Sequence, residues 1–252
     1  MVIMKYKICI AIPVKSGDID VNKKIVEIAL KNNPDLIEFR FDYIEDIKFL
    51  TDSFLKGTLD YIPSKIPTIF TFRRNQEGGK YNLSTSERLE VLKRLIEAKP
   101  EYLDIEINSE LNCLKNLIEL AYNNKVKLVF SYHNFKKSIT FDETAKLLTN
   151  FNNKLKNILN FDLDKISGSI FKIILTAQVF DDNITVLNIC KKLSLQDKEF
   201  ICFAMGEMGI LSRILCVKFG SLWTYGSMED KTAPGQIKIE KIREIHQLLF
   251  DI

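Results

Sequence analysis

The stretch Tyr102–His133, YLDIEINSELNCLKNLIELAYNNKVKLVFSYH, decides the fold. Tyr102–Ile107 is a short β-rich run, Leu111–Asn124 carries apolar residues at helical spacing, and Lys127–His133 is a second β-rich run. Strand, helix and strand in succession imply a parallel βαβ unit. The pattern extends outward in both directions. Further strand runs are Lys7–Val14, Leu36–Asp42, Thr68–Arg73, Ile170–Thr176, Phe200–Met205 and Leu222–Ser227, and most are followed by helical periodicity, as in Val21–Lys31, Ser84–Ala98 and Ile237–Leu249. Ser84 with Glu87 three residues on reads as a capping box. Asn150–Lys156 is rich in Asn and Lys and reads as a helix end. Eight such units, with no composition break, repeat or low-complexity tract, predict an α/β fold: one (β/α)8 TIM barrel over residues 1–252. The length agrees, since such barrels typically run to about 250 residues. An open doubly wound sheet and two small domains are the alternatives.

Composition narrows the function. The 36 Lys+Arg against 33 Asp+Glu give a net charge of +3, with no long block of one sign. A dedicated nucleic-acid protein would concentrate basic residues, so none is expected as a partner. No apolar run approaches the roughly 18 residues of a membrane span, and the N-terminal residues lack the pattern of a secretory leader. The five cysteines, Cys9, Cys113, Cys190, Cys202 and Cys216, are odd in number and have no Cys-x-x-Cys spacing. This predicts free thiols in a reducing compartment, hence a cytoplasmic protein.

A barrel strand is covered on both faces and should be mostly apolar. Here Glu38, Arg40 and Asp42 alternate with Ile37, Phe39 and Phe41; Thr71 and Arg73 share a face, as do Asp104 and Glu106; His133 ends the fifth strand; and Lys172 interrupts the apolar sixth. Most lie toward the C-terminal ends of their strands, where sites are built in this fold. Asp42 and Asp104 read first as members of buried ion pairs. Lys172 has two readings. Desolvation would lower its pKa and make it a nucleophile toward carbonyls, or it pairs with Asp104 or Glu106. There are two histidines. His246 reads as structural, and His133 as a general acid/base or a strand-end structural residue. Of seven arginines, Arg40, Arg73 and Arg213 fall at or just past strand ends, which suits an anionic small molecule or rim ion pairs with Glu38 or Asp42. No His-x-His, His-Glu-x-x-His or Gly-x-Gly-x-x-Gly occurs, so the sequence predicts neither a metal site nor nucleotide binding.

Seven stretches in order resemble type I 3-dehydroquinate dehydratase: Glu38-Phe39-Arg40; Phe72-Arg73 with Glu77-Gly78-Gly79; Tyr102-Leu103-Asp104-Ile105-Glu106; Ser131-Tyr132-His133-Asn134-Phe135; Phe171-Lys172-Ile173; Met205-Gly206-Glu207-Met208-Gly209 with Ser212-Arg213; and Ala233-Pro234-Gly235-Gln236. The resemblance implies a homodimeric, cofactor-free and metal-free lyase that converts 3-dehydroquinate to 3-dehydroshikimate in the shikimate pathway. It implies that Lys172 forms an imine with the C3 ketone, that His133 moves protons, and that Glu77 holds the His133 ring. It further implies that Arg213 and Gln236 receive the carboxylate, that Glu38, Arg40 and Arg73 contact ring hydroxyls, and that Met205 and Tyr225 pack on the ring.

Three positions depart from the pattern: Asn134 where Asp is frequent, Thr232 where Ser is frequent, and Tyr225 where Phe is frequent. If residue 134 helps orient the histidine, Glu77 must do so alone here. Thr232 keeps the hydroxyl and is expected to bind substrate with Gln236, on a loop, Met228–Gln236, expected to act as a lid. Other Schiff-base barrel enzymes call for a phosphate cradle, and a catalytically dead barrel would be free to lose Lys172, His133 and Glu77.

Overall fold

Runs apolar on both faces can be covered on both sides, and each becomes a strand between a neighbour strand and a helix. The structure, a computed structural model, describes residues 6–159, 166–228 and 235–250. Its strands are β1 (Lys7–Pro13), β2 (Leu36–Arg40), β3 (Thr68–Thr71), β4 (Tyr102–Glu106), β5 (Lys127–His133), β6 (Ile170–Thr176), β7 (Phe200–Met205) and β8 (Trp223–Gly226). The helices are α1 (Ile19–Lys31), α2 (Asp52–Asp60), α3 (Thr85–Glu97), α4 (Leu111–Asn124), α5 (Phe141–Leu159), α6 (Asp182–Ser194), α7 (Ile210–Leu215) and α8 (Ile239–Phe250). Asn150–Lys156 lies in the C-terminal half of α5.

All pairings are parallel, in the order β7-β6-β5-β4-β3-β2-β1-β8. Between β8 and β7 the ladder gives way to the Leu222 N–H on the Phe200 carbonyl at 2.9 Å and the Cys202 N–H on Ser221 Oγ at 3.3 Å. These bonds bring the ends together, and the result is a single-domain, nearly closed (β/α)8 barrel.

The period of two sorts the side chains. Ile37, Phe39, Phe70, Leu103, Ile105 and Phe130 cluster outward with Leu55, Leu92, Leu95 and Leu117 of the helices. Glu38, Thr71, Asp104, Ser131 and Lys172 bond to one another across the interior. Ser84 caps α3 as the sequence predicts: its Oγ accepts from Glu87 N–H at 3.3 Å, while its own N–H donates to Glu87 Oε2 at 2.9 Å.

β1, β4 and β8 end one residue earlier than expected, and β2 and β3 two residues earlier. β2 stops at Arg40 because Phe41–Tyr43 tighten into a 3-10 turn, which lets Arg40 turn back on Asp42. β3 stops at Thr71, leaving Arg73 at the start of a loop whose 3-10 turn, Asn75–Glu77, presents Glu77.

Candidate active site

Lys172 sits midway along β6, with its Nζ 3.1 Å from both Glu38 Oε2 on β2 and Asp104 Oδ2 on β4. The Tyr225 ring lies beneath it, its centroid 4.6 Å from Nζ. Lysine and carboxylates are all but inaccessible, at 4%, 2% and 1% exposure. The ion-pair reading of Lys172 therefore holds in part: Asp104 is a partner, Glu38 is a second, and Glu106 is not. Its flanking residues in the chain are apolar, but β2 and β4 bring carboxylates across the barrel.

Arg73 is the second cation of this network. Its Nη2 donates to Asp104 at 2.7 Å, and its Nη1 to Glu106 at 3.0 Å and Ser131 Oγ at 2.6 Å. Arg40 pairs with Asp42 through two bonds of 2.7 and 2.8 Å. The ion pairs expected for Asp42 and Asp104 are thus present, and Arg40 and Arg73 still line the cavity.

At the end of β5, His133 Nδ1 lies 3.1 Å from Glu77 Oε2, which also accepts the His133 backbone N–H at 3.0 Å. One carboxylate oxygen so fixes both the ring and the chain that carries it. Asn108 Nδ2 donates to the other oxygen at 3.3 Å. The loop that delivers Glu77 depends on Gly79, where a Cβ would lie 1.9 Å from the Arg73 carbonyl. Asn134 turns away from the ring: its Oδ1 accepts from the backbone N–H groups of Lys136 and Lys137, and its Nδ2 points at the Tyr132 hydroxyl.

Burial, then the charges of Arg73 and Lys172, push the His133 pKa well below the usual histidine value. The ring is therefore neutral at pH 7 and able to accept a proton. Burial pushes Glu77 up to about 7, against the pull of Arg73.

Arg213 in α7 is 1% exposed, with its guanidinium 4.5 Å from the Phe203 ring centroid. Burial lowers its pKa to about 10, so it stays cationic at neutral pH. Gln236 enters from the loop before α8. Gly235, at φ 72°, abuts the Gly206 carbonyl so closely that a Cβ would lie 2.2 Å from it. This contact seats Gln236 against the β7–α7 connection.

Ten of the expected residues, Glu38, Arg40, Arg73, Glu77, His133, Lys172, Met205, Arg213, Tyr225 and Gln236, line one cavity of about 260 Å³. Thr232 and most of the expected lid, residues 229–234, lie outside the described residues. The cavity also takes in Tyr43, Lys80, Phe135 and Phe203, which sequence reasoning did not single out. Tyr43 lies between Arg40 and Lys80, at 5.1 and 5.2 Å from its ring centroid. Its loop position after β2 was the available signal. His246 bonds the Ile214 carbonyl at 2.8 Å and takes no part in the cavity. Among the described residues no group of His, Cys, Asp and Glu is arranged to hold a metal ion.

Comparison with known proteins gives the family of the chain. The model of the type I 3-dehydroquinase family matches residues 9–252. A 3-dehydroquinate dehydratase from Methanococcus maripaludis is 35% identical over 245 residues, covering 95% of this chain and 99% of the relative. One from Methanocaldococcus jannaschii is 32% identical over 230 residues, covering 90% of each chain. Among solved structures, type I 3-dehydroquinate dehydratase from Clostridium difficile, carrying covalently modified comenic acid, superposes with a TM-score of 0.79 at 26% identity, over 97% of this chain and 92% of that one. The fold of the Geobacillus kaustophilus enzyme matches with a TM-score of 0.82 at 22% identity, over 98% and 93%. The chain belongs to the type I 3-dehydroquinase family of hydro-lyases.

Proposed function

We propose that the chain dehydrates 3-dehydroquinate to 3-dehydroshikimate through an imine on Lys172, as a step of the shikimate pathway of aromatic amino-acid biosynthesis. The observation that carries this reading is the meeting, in one cavity, of Lys172 with a neutral histidine whose Nδ1 is already held by Glu77. The covalently modified organic acid in the Clostridium difficile relative supports a site that bonds to its ligand.

The steps follow from the groups present. The Lys172 ammonium gives up a proton, with Glu38 and Asp104 within reach at 3.1 Å. The free amine adds to the C3 ketone and water leaves, forming a protonated imine. A proton α to a plain ketone is poorly acidic, and the imine acts as the electron sink that makes its loss feasible. His133, with Nδ1 engaged, uses Nε2 to take the C2 proton. The electron pair shifts into the imine, then returns to expel the C1 hydroxyl, which leaves as water with a proton from the same histidine. Hydrolysis of the imine frees product and lysine. Arg213 and Gln236 hold the carboxylate, Arg40, Arg73 and Glu38 contact ring hydroxyls, and Met205 and Tyr225 pack on the ring. Thr232 is proposed to bind the substrate together with Gln236. No metal or cofactor is required by these steps, and a single histidine suffices because both proton transfers fall on one face.

The protein is proposed to act as a cytoplasmic homodimer. Five free, buried cysteines fit a reducing compartment, and the exposed Val179, Phe180 and Ile184 give a dimer an apolar surface. An absorbance assay tests the reaction. Purified protein should generate the conjugated enone from 3-dehydroquinate, and Lys172→Met should not. Enone formation undiminished in Lys172→Met would refute the lysine's role.

A further inference from the structure

Arg88 stands in the first turn of α3, outside the barrel, one residue after the glutamate of the capping box. Arginines there ordinarily reach solvent, yet this side chain is 12% exposed and runs inward. Its Nη2 donates to Glu106 Oε2 and, at 3.4 Å, to the Phe72 carbonyl. The opposite oxygen, Glu106 Oε1, accepts from Arg73 Nη1 at 3.0 Å and from the Arg74 backbone N–H at 2.9 Å. One carboxylate on β4 is thus gripped from the helical layer by Arg88. From the inside it grips both the cavity arginine and the root of the loop that carries Glu77.

We propose that Arg88 is a positioning residue: through Glu106 it fixes Arg73 and the Glu77 loop, and its charge offsets that of Glu106 beside Glu77. The inference rests on the reading of Glu77 as the carboxyl group that holds His133 Nδ1.

The charged and titratable groups around Glu77 come from every element packed on it. Arg73, Arg74 and Lys80 share its loop, Asp104 and Glu106 come from β4, and His133 from β5. Across the cavity lie Lys172 of β6, Arg40 of β2 and Arg213 of α7, and α3 presents Arg88. Of these, Arg73 pulls the Glu77 pKa down and Glu106 pushes it up, on top of the larger effect of burial. Removing Arg88 leaves the Glu106 charge less offset and strengthens the upward push. Removing the Glu106 charge abolishes that push and leaves the pull of Arg73.

The test is the acid limb of the kcat/KM profile for enone formation, with folded fraction followed by circular dichroism. Arg88→Met should move the limb to higher pH by about half a unit or more, and Arg88→Lys should hold it near wild type. Glu106→Gln should move it to lower pH. The double variant Arg88→Met/Glu106→Gln, which loses both charges, should return the limb close to the wild-type position. A residue that merely stabilises the fold would lower the melting temperature in Arg88→Met and leave every limb in place, and that result overturns the inference. Should Arg88→Met not fold, the Glu106→Gln limb decides: a downward shift, largely kept on adding Arg88→Lys, supports the inference, and an unmoved limb overturns it. Glu77→Gln is the control. If it keeps the wild-type limb, the reading of Glu77 has failed and this inference falls with it. If it loses the limb while that of Arg88→Met is unmoved, the role of Arg88 alone has failed.

Discussion

Lys172→Met preserves an unbranched apolar stem and deletes the cation 3.1 Å from Glu38 and from Asp104. Asp104 retains Arg73 at 2.7 Å and the Ser131 hydroxyl at 2.6 Å, so the loss falls mainly on Glu38, whose nearest remaining donor is the Thr71 hydroxyl at 2.9 Å. Breaking a buried pair by removing one partner costs about 3–5 kcal/mol, because a buried charge is left uncompensated. At about 2–4 °C per kcal/mol for a domain near this size, the melting temperature should fall by about 6–20 °C. The pH dependence follows from the sign of the shift. Burial alone would raise the Glu38 carboxyl, but Lys172, with Arg40 and Arg73, holds it below its usual value in the native chain. That depressed group contributes stability above the unfolded-state value, and the contribution is lost as pH falls through the folded value. Without Lys172 the Glu38 carboxyl rises instead. Its penalty is then full at high pH and relieved as the group protonates. The gap in melting temperature between native and variant chains should therefore be widest at pH 8 and narrower at pH 5. Thermal unfolding by circular dichroism at pH 5, 7 and 8 measures it, with Glu38→Gln/Lys172→Met as the neutralised reference, expected to recover part of the loss at pH 8. A single variant within about 2 °C of the native chain at pH 8, well under the smallest expected loss, would refute the reasoning, as would a gap that widens on acidification.

His133→Ala should lose several orders of magnitude in kcat, since one residue serves two proton transfers, each worth about 10²–10⁴-fold, yet still form an imine with added product. Steady-state kinetics and intact-mass measurement after borohydride read the two parts, and near-normal turnover would make the histidine merely structural. Gly79→Ala forces a Cβ against the Arg73 carbonyl, 1.9 Å away in the present backbone, and so displaces the loop bearing Glu77. A shift of about 1 Å should lower kcat/KM by about 10²-fold, and unchanged kinetics would show that the loop position is unimportant. Dialysis against EDTA should leave activity intact, and a loss restored by a divalent ion would overturn the metal-free mechanism.

The barrel is legible in the sequence because strands covered on both faces are written as short apolar runs, and Phe200–Met205 and Ile170–Thr176 begin and end where those runs do. The ends of β2 and β3 are not legible, because Phe41-Asp42, which tighten into a 3-10 turn, and Phe72-Arg73, which begin a loop, continue the alternation of the strands before them. Within the site, residues that break a strand's apolar pattern announce themselves, as Lys172 and Glu38 do. Their pairing across the barrel does not, since Glu38 and Lys172 are 134 residues apart and meet only when the sheet closes. Arg88 is the extreme case. Its position in a helix, beside Glu87 and Leu89, carries no sign that it reaches a buried carboxylate on β4. Tyr43, at the end of a 3-10 turn, and Phe135, in a loop, likewise line the cavity from segments past their strands, where the strand period no longer tells which way a side chain faces.

The central claim is that Lys172 bonds covalently to the substrate. Protein incubated with 3-dehydroquinate and borohydride, then digested and analysed by mass spectrometry, tests it directly. The account predicts one stable adduct, on the peptide containing Lys172, with parallel loss of activity and no adduct in Lys172→Met. An adduct on another lysine, or fully active protein that yields none, would contradict it.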